Sequence, residues 1–192
     1  MSVADEVLAI YGARGAGAYF GERVSIVEHC LQAAWFAQVE GAPQPLVVAA
    51  LLHDIGHLLE AVPDDLAEWT TDARHEEVGA RWLATRFSLE VSEPVRLHVP
   101  AKRYLCATDA AYSRQLSSAS VHTLKLQGGP MSIEETRAFE REPFYREAVR
   151  VRHWDDQGKV AGLKTPPLTA YVAMIDGINP YGIMTGHGSG TR

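Results

Sequence analysis

Apolar residues recur at intervals of three and four along most of the chain, which is the spacing of helices that bury one face. No stretch shows the strict alternation of a half-buried strand, and the sequence contains no internal repeat. The predicted helices cover residues 2–11, 25–40, 46–59 and 74–87, a short helix from about 92, one or two helices within 107–126, and 132–141, 143–154 and 168–178. The pattern therefore predicts an all-α fold, a compact multi-helix bundle.

Capping signals place several of these helix ends. Ser25 with Glu28, and Ser132 with Glu135, have the spacing of a capping box, in which the serine and the glutamate each satisfy a free backbone N–H. Gly41 is typical of the residue that follows a helix. These signals set the bounds of two helices independently of the apolar pattern.

Three segments break the helical pattern. Residues 12–17 are rich in glycine and should end the first helix, and residues 60–73 are acidic and typical of a solvated loop. The last residues, 179–192, are also rich in glycine, and we expect them to be disordered. The chain is therefore predicted to form a single helical domain over residues 1–178.

Composition narrows the class of protein. The 192 residues are 46% hydrophobic and carry a net charge of −6, which argues against a nucleic-acid-binding surface. Cys30 and Cys106 form neither a disulfide framework nor a CxxC zinc pattern. No run approaches the roughly 18 apolar residues that cross a bilayer, and the N-terminus does not resemble a signal peptide. We expect a soluble, cytoplasmic protein with no membrane and no nucleic-acid partner; the sequence leaves its oligomeric state open.

The helix predicted at residues 46–59 is apolar nearly all round, so it should be central, yet it carries His53, Asp54 and His57. Burying an adjacent His–Asp pair is costly unless something binds it, and a metal ion is the simplest occupant. His57 lies one helical turn after His53, so it can act as a ligand, a hydrogen-bond partner or a proton shuttle.

Further histidines and a late aspartate extend this set. Each one taken alone can be a hydrogen-bonded core residue. Taken together, four histidines and two aspartates exceed the four ligands of a structural zinc site and suffice for two ions with open positions. The candidate metal ligands are His29, His53, Asp54, His75, His98 and Asp155.

The order His29, His53-Asp54, Asp155 resembles the HD-domain superfamily, in which H…HD…D surrounds a metal in a helical bundle. His75 and His98 resemble the additional ligands of dinuclear members, which include inositol oxygenase and some phosphodiesterases. The resemblance implies that Asp54 bridges two ions. It also implies that His29, His53 and Asp155 hold one ion, and that His75 and His98 hold the other.

Several strings outside the HD motif resemble the phosphonate-cleaving HD oxygenases more specifically. They are Tyr19 to Glu22, Glu28 to Gln32, His98 to Leu105, Ser120 with Thr123, Gln127 to Met131, and Trp154-Asp155. This resemblance implies a mixed-valent Fe(II)/Fe(III) pair and O2 as co-substrate. The implied substrate is 2-amino-1-hydroxyethylphosphonate or its N-trimethyl analogue, cleaved to phosphate and glycine or glycine betaine. Most HD proteins hydrolyse phosphate esters, so a dinuclear phosphohydrolase is the alternative.

The remaining candidates divide between the two ends of such a substrate. Lys102 lies four residues after His98 and can neutralise a phosphonate bound to that ion. Ser120, Thr123 and Gln127 share one helical face and can hold phosphonate oxygens.

Two residues before the second helix complete the prediction. The resemblance implies that Tyr19 occupies an iron position until substrate displaces it, and that Glu22 binds the substrate amine. We expect His57 to contact the substrate hydroxyl, so that His57 and Lys102 are the candidate catalytic residues.

Overall fold

The computed structural model describes residues 1–19, 21–60 and 72–178, and all of its regular structure is helical. The α-helices are α1 Val3–Arg14, α2 Ile26–Val39, α3 Gln44–Leu52, α4 Ile55–Leu59, α5 His75–Ala84, α6 Leu89–Thr108, α7 Ala110–Gln115, α8 Ser118–Leu126, α9 Ile133–Phe139, α10 Tyr145–Gln157 and α11 Val172–Gly177, with a 3-10 helix at Leu168–Tyr171. The predicted all-α fold is confirmed. Most of the predicted acidic loop and the predicted disordered tail lie outside the described residues.

The predicted caps are present in the structure. Ser25 accepts from the backbone N–H of Glu28 while the Glu28 side chain accepts from Ser25, and Ser132 and Glu135 form the same reciprocal pair. The first helix, however, runs on to Arg14, so the expectation that it ends at the glycine-rich segment was wrong by a few residues. Its interior is held by packing of one buried face, which outweighs the intrinsic cost of a helical glycine.

The predicted central helix is interrupted, and it is interrupted at the candidate metal ligands. Helix α3 ends at Leu52 and α4 begins at Ile55, because Asp54 leaves the helical region at φ −100° and ψ 12°. Two carbonyls in the last turn of α3 accept from side chains: Ala50 accepts from the His53 ring, and Leu51 accepts from a buried tyrosine hydroxyl of α1. These side-chain bonds replace continued helix propagation and turn the Asp54 carboxylate away from the ideal helical direction.

The helix predicted to be short, from about residue 92, is instead the longest one described. Helix α6 begins after Ser88 and runs for 20 residues through Pro94 and Pro100. Pro94 lies near its first turn, where a missing N–H costs little, but Pro100 removes an interior hydrogen bond. Burial on both sides compensates for that loss, since α6 packs against α5, α3 and α10.

The core surrounds α3, whose residues Leu46–Leu52 are all buried. Helices α2, α6 and α10 contact it from three directions. Polar side chains of these helices that face the C-terminal end of α3 are thereby brought into one buried region. Within the described residues, no helix combines the length and apolar character needed to cross a membrane.

Candidate dinuclear metal centre

The structure brings the six candidate ligands together next to the break between α3 and α4. Helix α2 supplies one histidine, the break supplies a His–Asp pair, the start of α5 and the middle of α6 supply one histidine each, and the end of α10 supplies an aspartate. All six are buried: His29, His53, Asp54, His75, His98 and Asp155.

Asp54 lies between two groups of possible ligands. One group is His29, His53 and Asp54, and the other is Asp54, His75 and His98; within each, the ligand atoms lie within 4.8 Å of one another. Asp54 Oδ2 is 3.5 Å and 3.4 Å from Nε2 of His29 and His53. Asp54 Oδ1 is 3.3 Å and 3.6 Å from Nε2 of His75 and His98. One carboxylate oxygen therefore faces each group, as a bridging ligand requires.

The ring nitrogens of these histidines indicate that cations belong between them. The Nδ1 atoms of His29, His53 and His98 lie 2.9, 2.8 and 2.7 Å from backbone carbonyls, which can only accept, so these Nδ1 atoms carry the proton. In a neutral ring that is protonated at Nδ1, the Nε2 atom carries a lone pair and no proton. Yet Nε2 of His29 and Nε2 of His53 are 3.0 Å apart, with no proton to share.

Burial makes this arrangement unfavourable without a positive charge. It lowers the pKa of His29 to about 4, so this imidazole is neutral at pH 7. The buried oxygens Asp54 Oδ2 and Asp155 Oδ1 have no hydrogen-bond partner among the described residues. Facing lone pairs and unpaired carboxylate oxygens are compensated if metal ions bind both groups. The residues present therefore fit a dinuclear metal centre with nitrogen and oxygen ligands.

Asp155 completes the first group, and its neighbour Asp156 does not. Asp155 Oδ1 lies 3.5 Å from Nε2 of His29. Burial alone would raise the pKa of Asp155, but Arg152, 2.6 Å away, holds it well below the ordinary value. Asp156 turns outward and accepts from Tyr112 and Arg152. Asp155 is thus an ionised, pre-oriented carboxylate.

A cavity adjoins this cluster and is lined by four of the six candidate ligands, namely Asp54, His75, His98 and Asp155. Every residue predicted to bind substrate lines it: Tyr19, Glu22, His57, Lys102, Ser120, Thr123 and Gln127. These come from α4, α6, α8 and the segment before α2. The structure therefore brings the predicted substrate residues and the predicted metal ligands to one place.

Lys102 is a buried cation of this cavity. It is 2% exposed, and its Nζ donates to Thr123 Oγ1 at 2.9 Å. Burial, followed by the nearby charge of Arg152, lowers the pKa of Lys102 to about 7. A buried lysine amine with so low a pKa gains a proton when an anion binds beside it.

Two other cavity residues present buried oxygens without partners among the described residues. These atoms are Glu22 Oε1 and Gln127 Oε1. An unsatisfied carboxylate oxygen at a cavity wall is a site for a cationic or hydrogen-bond-donating group. Glu22 and Gln127 therefore mark polar contacts that a ligand, rather than the protein, completes.

Two aromatic rings pack directly on the candidate ligands. Tyr19 stacks on His29 with ring centroids 3.9 Å apart, and burial followed by the nearby charge of Asp54 raises the pKa of its hydroxyl. His57 stacks on His75 with centroids 3.8 Å apart. Burial, and then the charge of His75, lower the pKa of His57, which keeps this imidazole neutral and able to accept a proton.

Sequence reasoning missed two cations of the cavity wall. Arg152 and Lys159 both line it, and Lys159 Nζ donates to Ser120 Oγ at 3.1 Å. Their positions three residues before and four after Asp155 are the signal that could have indicated them, because this spacing puts them near the same ligand.

Comparison with known proteins gives a consistent result. The family described as "HD domain" matches residues 26–155. The chain is 42% identical over 174 residues to [1-hydroxy-2-(trimethylamino)ethyl]phosphonate dioxygenase (glycine-betaine-forming) of Leisingera caerulea, covering 91% of this chain and 89% of that protein. It is 48% identical over 157 residues to hydroxymethylphosphonate dioxygenase of Gimesia maris, covering 80% and 77%. It is also 34% identical to an uncharacterized protein of Acanthamoeba polyphaga mimivirus, covering 86% and 76%.

The matched range begins at the start of α2 and ends at Asp155, so it contains every candidate metal ligand. It spans more than half of the chain, and the helical bundle and its buried His–Asp cluster agree with it. The chain belongs to the HD-domain family.

Proposed function

We propose that this protein is an O2-dependent diiron oxygenase that cleaves the carbon–phosphorus bond of a 1-hydroxyalkylphosphonate. The observation that carries this proposal is that Asp54, which two groups of histidines share, lines a cavity together with Lys102, Ser120, Thr123 and Gln127. The two relatives that are named for an activity are both dioxygenases of hydroxyphosphonates, and each aligns over at least three quarters of its length.

The reaction balances with O2 as the only co-substrate. In 2-amino-1-hydroxyethylphosphonate, the bond between C1 and phosphorus breaks, C1 is oxidised to the carboxyl carbon of glycine, and O2 is reduced. Both oxygen atoms of O2 are retained in the products, glycine and phosphate. The N-trimethyl analogue gives glycine betaine, and hydroxymethylphosphonate gives formate by the same balance.

The donor set supports iron in both positions. Each group combines two histidines with the shared carboxylate, and two histidines with one carboxylate are typical of non-haem iron sites that leave positions open. A mixed-valent Fe(II)/Fe(III) pair would offer an open position to O2 and pass electrons to it from the substrate. His29, His53, Asp54 and Asp155 would hold one iron, and Asp54, His75 and His98 the other.

The wall around Lys102 provides the phosphonate contacts. Lys102 already donates to Thr123, and Lys159 to Ser120, so two cations and two hydroxyls face a ligand together. A phosphonate carries two negative charges when ionised, and its arrival favours the protonated form of Lys102. Gln127 adds an amide whose Oε1 is unpartnered within the described part of the chain.

Three other residues of the cavity wall would contact the rest of the substrate. Glu22 would accept from a substrate ammonium through its unpartnered Oε1. Tyr19, which stacks on His29 and whose pKa is affected by the charge of Asp54, would occupy a metal position until substrate displaces it. His57, kept neutral by burial, would accept the proton of the C1 hydroxyl.

Phosphate release by the iron-loaded protein tests this proposal. Hydroxymethylphosphonate, 2-amino-1-hydroxyethylphosphonate and its N-trimethyl analogue are each incubated with and without O2. We expect phosphate to appear only with O2 and from at least one of the three. Absence of O2-dependent release from all three, or anaerobic hydrolysis of a phosphate ester with Mn(II), would overturn the oxygenase in favour of the phosphohydrolase.

A further inference from the structure

A buried glutamate beside the metal centre has no place in the proposed reaction. Glu76 is 6% exposed, and its Oε2 has no hydrogen-bond partner among the described residues. The Oε2 atom lies 3.6 Å from Nδ1 of the neighbouring residue, His75. A buried carboxylate oxygen without a hydrogen bond costs folding free energy, so its presence calls for a role outside the stability of the fold.

His75 differs in this respect from three other histidines of the centre. His29, His53 and His98 each direct Nδ1 at a neutral backbone carbonyl, whereas His75 directs Nδ1 at a carboxylate. A charge-assisted N–H···O bond has a length of about 2.8 Å, so a shift of about 0.8 Å by the glutamate side chain would form one.

We propose that Glu76 is a positioning residue that orients His75 and increases the electron density at its Nε2. An imidazole that donates its outer N–H to a carboxylate is a stronger metal ligand than one that donates to a carbonyl. The effect falls on the ion held by Asp54, His75 and His98. This inference rests on the two-metal centre of the proposed function and is independent of the reaction with O2.

Glu76 also compensates an imbalance between the two metal positions. The first position has a second carboxylate, Asp155, but Arg152 and Lys159 share its charge at 2.6 and 3.7 Å. The second position has no equivalent of Asp155 among the described residues. Glu76 therefore places negative charge behind the position that has fewer anionic ligands, and stabilises a higher positive charge there.

Metal titration of the chelator-treated protein tests the proposal. Fe(II) is added anaerobically to wild type, Glu76→Gln and Glu77→Gln while heat release and bound iron per chain are measured. Glu77 is the matched control, since it is the next residue of the same helix and lines a separate surface depression. We expect two ions to bind to wild type and to Glu77→Gln. In Glu76→Gln, we expect the affinity for the second ion to be about 10- to 100-fold lower, which is the usual effect of removing a hydrogen-bond partner of a metal ligand.

Two further measurements distinguish an effect on the metal ligand His75 from a role in stabilising the fold. In the absence of metal, Glu76→Gln should have a Tm at least as high as wild type, because a buried charge is removed. With iron bound, it should have a more positive reduction potential, and Glu76→Asp, which keeps the charge, should lie closer to wild type.

Equal affinity for the second ion in Glu76→Gln and Glu77→Gln would overturn the role of Glu76 and leave the two-metal centre intact. A lower Tm of metal-free Glu76→Gln would make the residue structural and would also overturn it. A wild-type protein that binds one ion per chain would refute the two-metal centre itself, and this inference with it.

Discussion

Lys102→Met should stabilise the metal-free protein while it abolishes phosphonate binding. Lys102 is buried, and burial lowers its pKa from 10.5 to about 7. At 1.36 kcal/mol per pH unit, keeping this side chain charged in the folded state costs about 5 kcal/mol. Methionine has a similar shape and no charge. Loss of the hydrogen bond to Thr123 offsets about 1 kcal/mol, so we expect a net gain of about 2 to 4 kcal/mol.

The pH dependence of this gain has a defined sign. Below pH 7, Lys102 is charged in both the folded and the unfolded state, so the whole penalty is present. Between pH 7 and pH 10.5 the folded state releases the proton and the unfolded state keeps it, so the stability of wild type rises with pH. The advantage of Lys102→Met should therefore be largest at pH 6 and should shrink as pH rises through 8 and 9.

Urea unfolding of chelator-treated protein between pH 6 and pH 9 measures this difference. Lys125→Met is the control, because Lys125 is an exposed lysine on α8 and should leave stability unchanged within about 0.5 kcal/mol. A Lys102→Met variant that is less stable than wild type at pH 6, or a gain that is independent of pH, would refute the reasoning.

Three other substitutions probe the centre and its walls, and a fourth serves as a control. Asp54→Asn should lose both ions by metal analysis, and retention of one ion would contradict the bridging role. Glu22→Gln should lower kcat/KM for 2-amino-1-hydroxyethylphosphonate about tenfold and spare hydroxymethylphosphonate; an equal loss on both would contradict amine binding. Gly56→Ala would bring Cβ to 2.0 Å from the His75 carbonyl oxygen, so thermal unfolding should show a loss of several kcal/mol together with lower metal content. Gly12→Ala, which meets nothing within 4 Å, should gain about 0.5 to 1 kcal/mol, and equal effects of the two alanines would refute the packing argument.

The named relatives differ at the amine end of their substrates, so binding at that end of the site depends on this chain's own residues. The two named relatives act on a hydroxyphosphonate with a trimethylamino group and on one without an amine. Glu22 presents one unpartnered oxygen, which suits a group that donates a hydrogen bond. The substrate panel with Glu22→Gln therefore distinguishes an ammonium-binding role from a purely structural one.

Local patterns in the sequence determined the helical class, the capped helix ends and the set of buried candidate ligands. Ser25 and Ser132 could be identified because a cap depends on residues three positions apart. The histidines and aspartates could be identified because polar groups on apolar faces require partners wherever the helices finally pack.

Only the tertiary structure decided how those ligands are aimed. The break at Asp54 follows from a hydroxyl of α1 and the His53 ring, which bind the last carbonyls of α3. His29 is oriented by the carbonyl of Gly158, 129 residues away. Lys159 comes within hydrogen-bond distance of Ser120 on α8, and Glu76 becomes buried, only when the helices pack. Such contacts join distant parts of the chain, and helical periodicity, which extends over a few turns, carries no information about them.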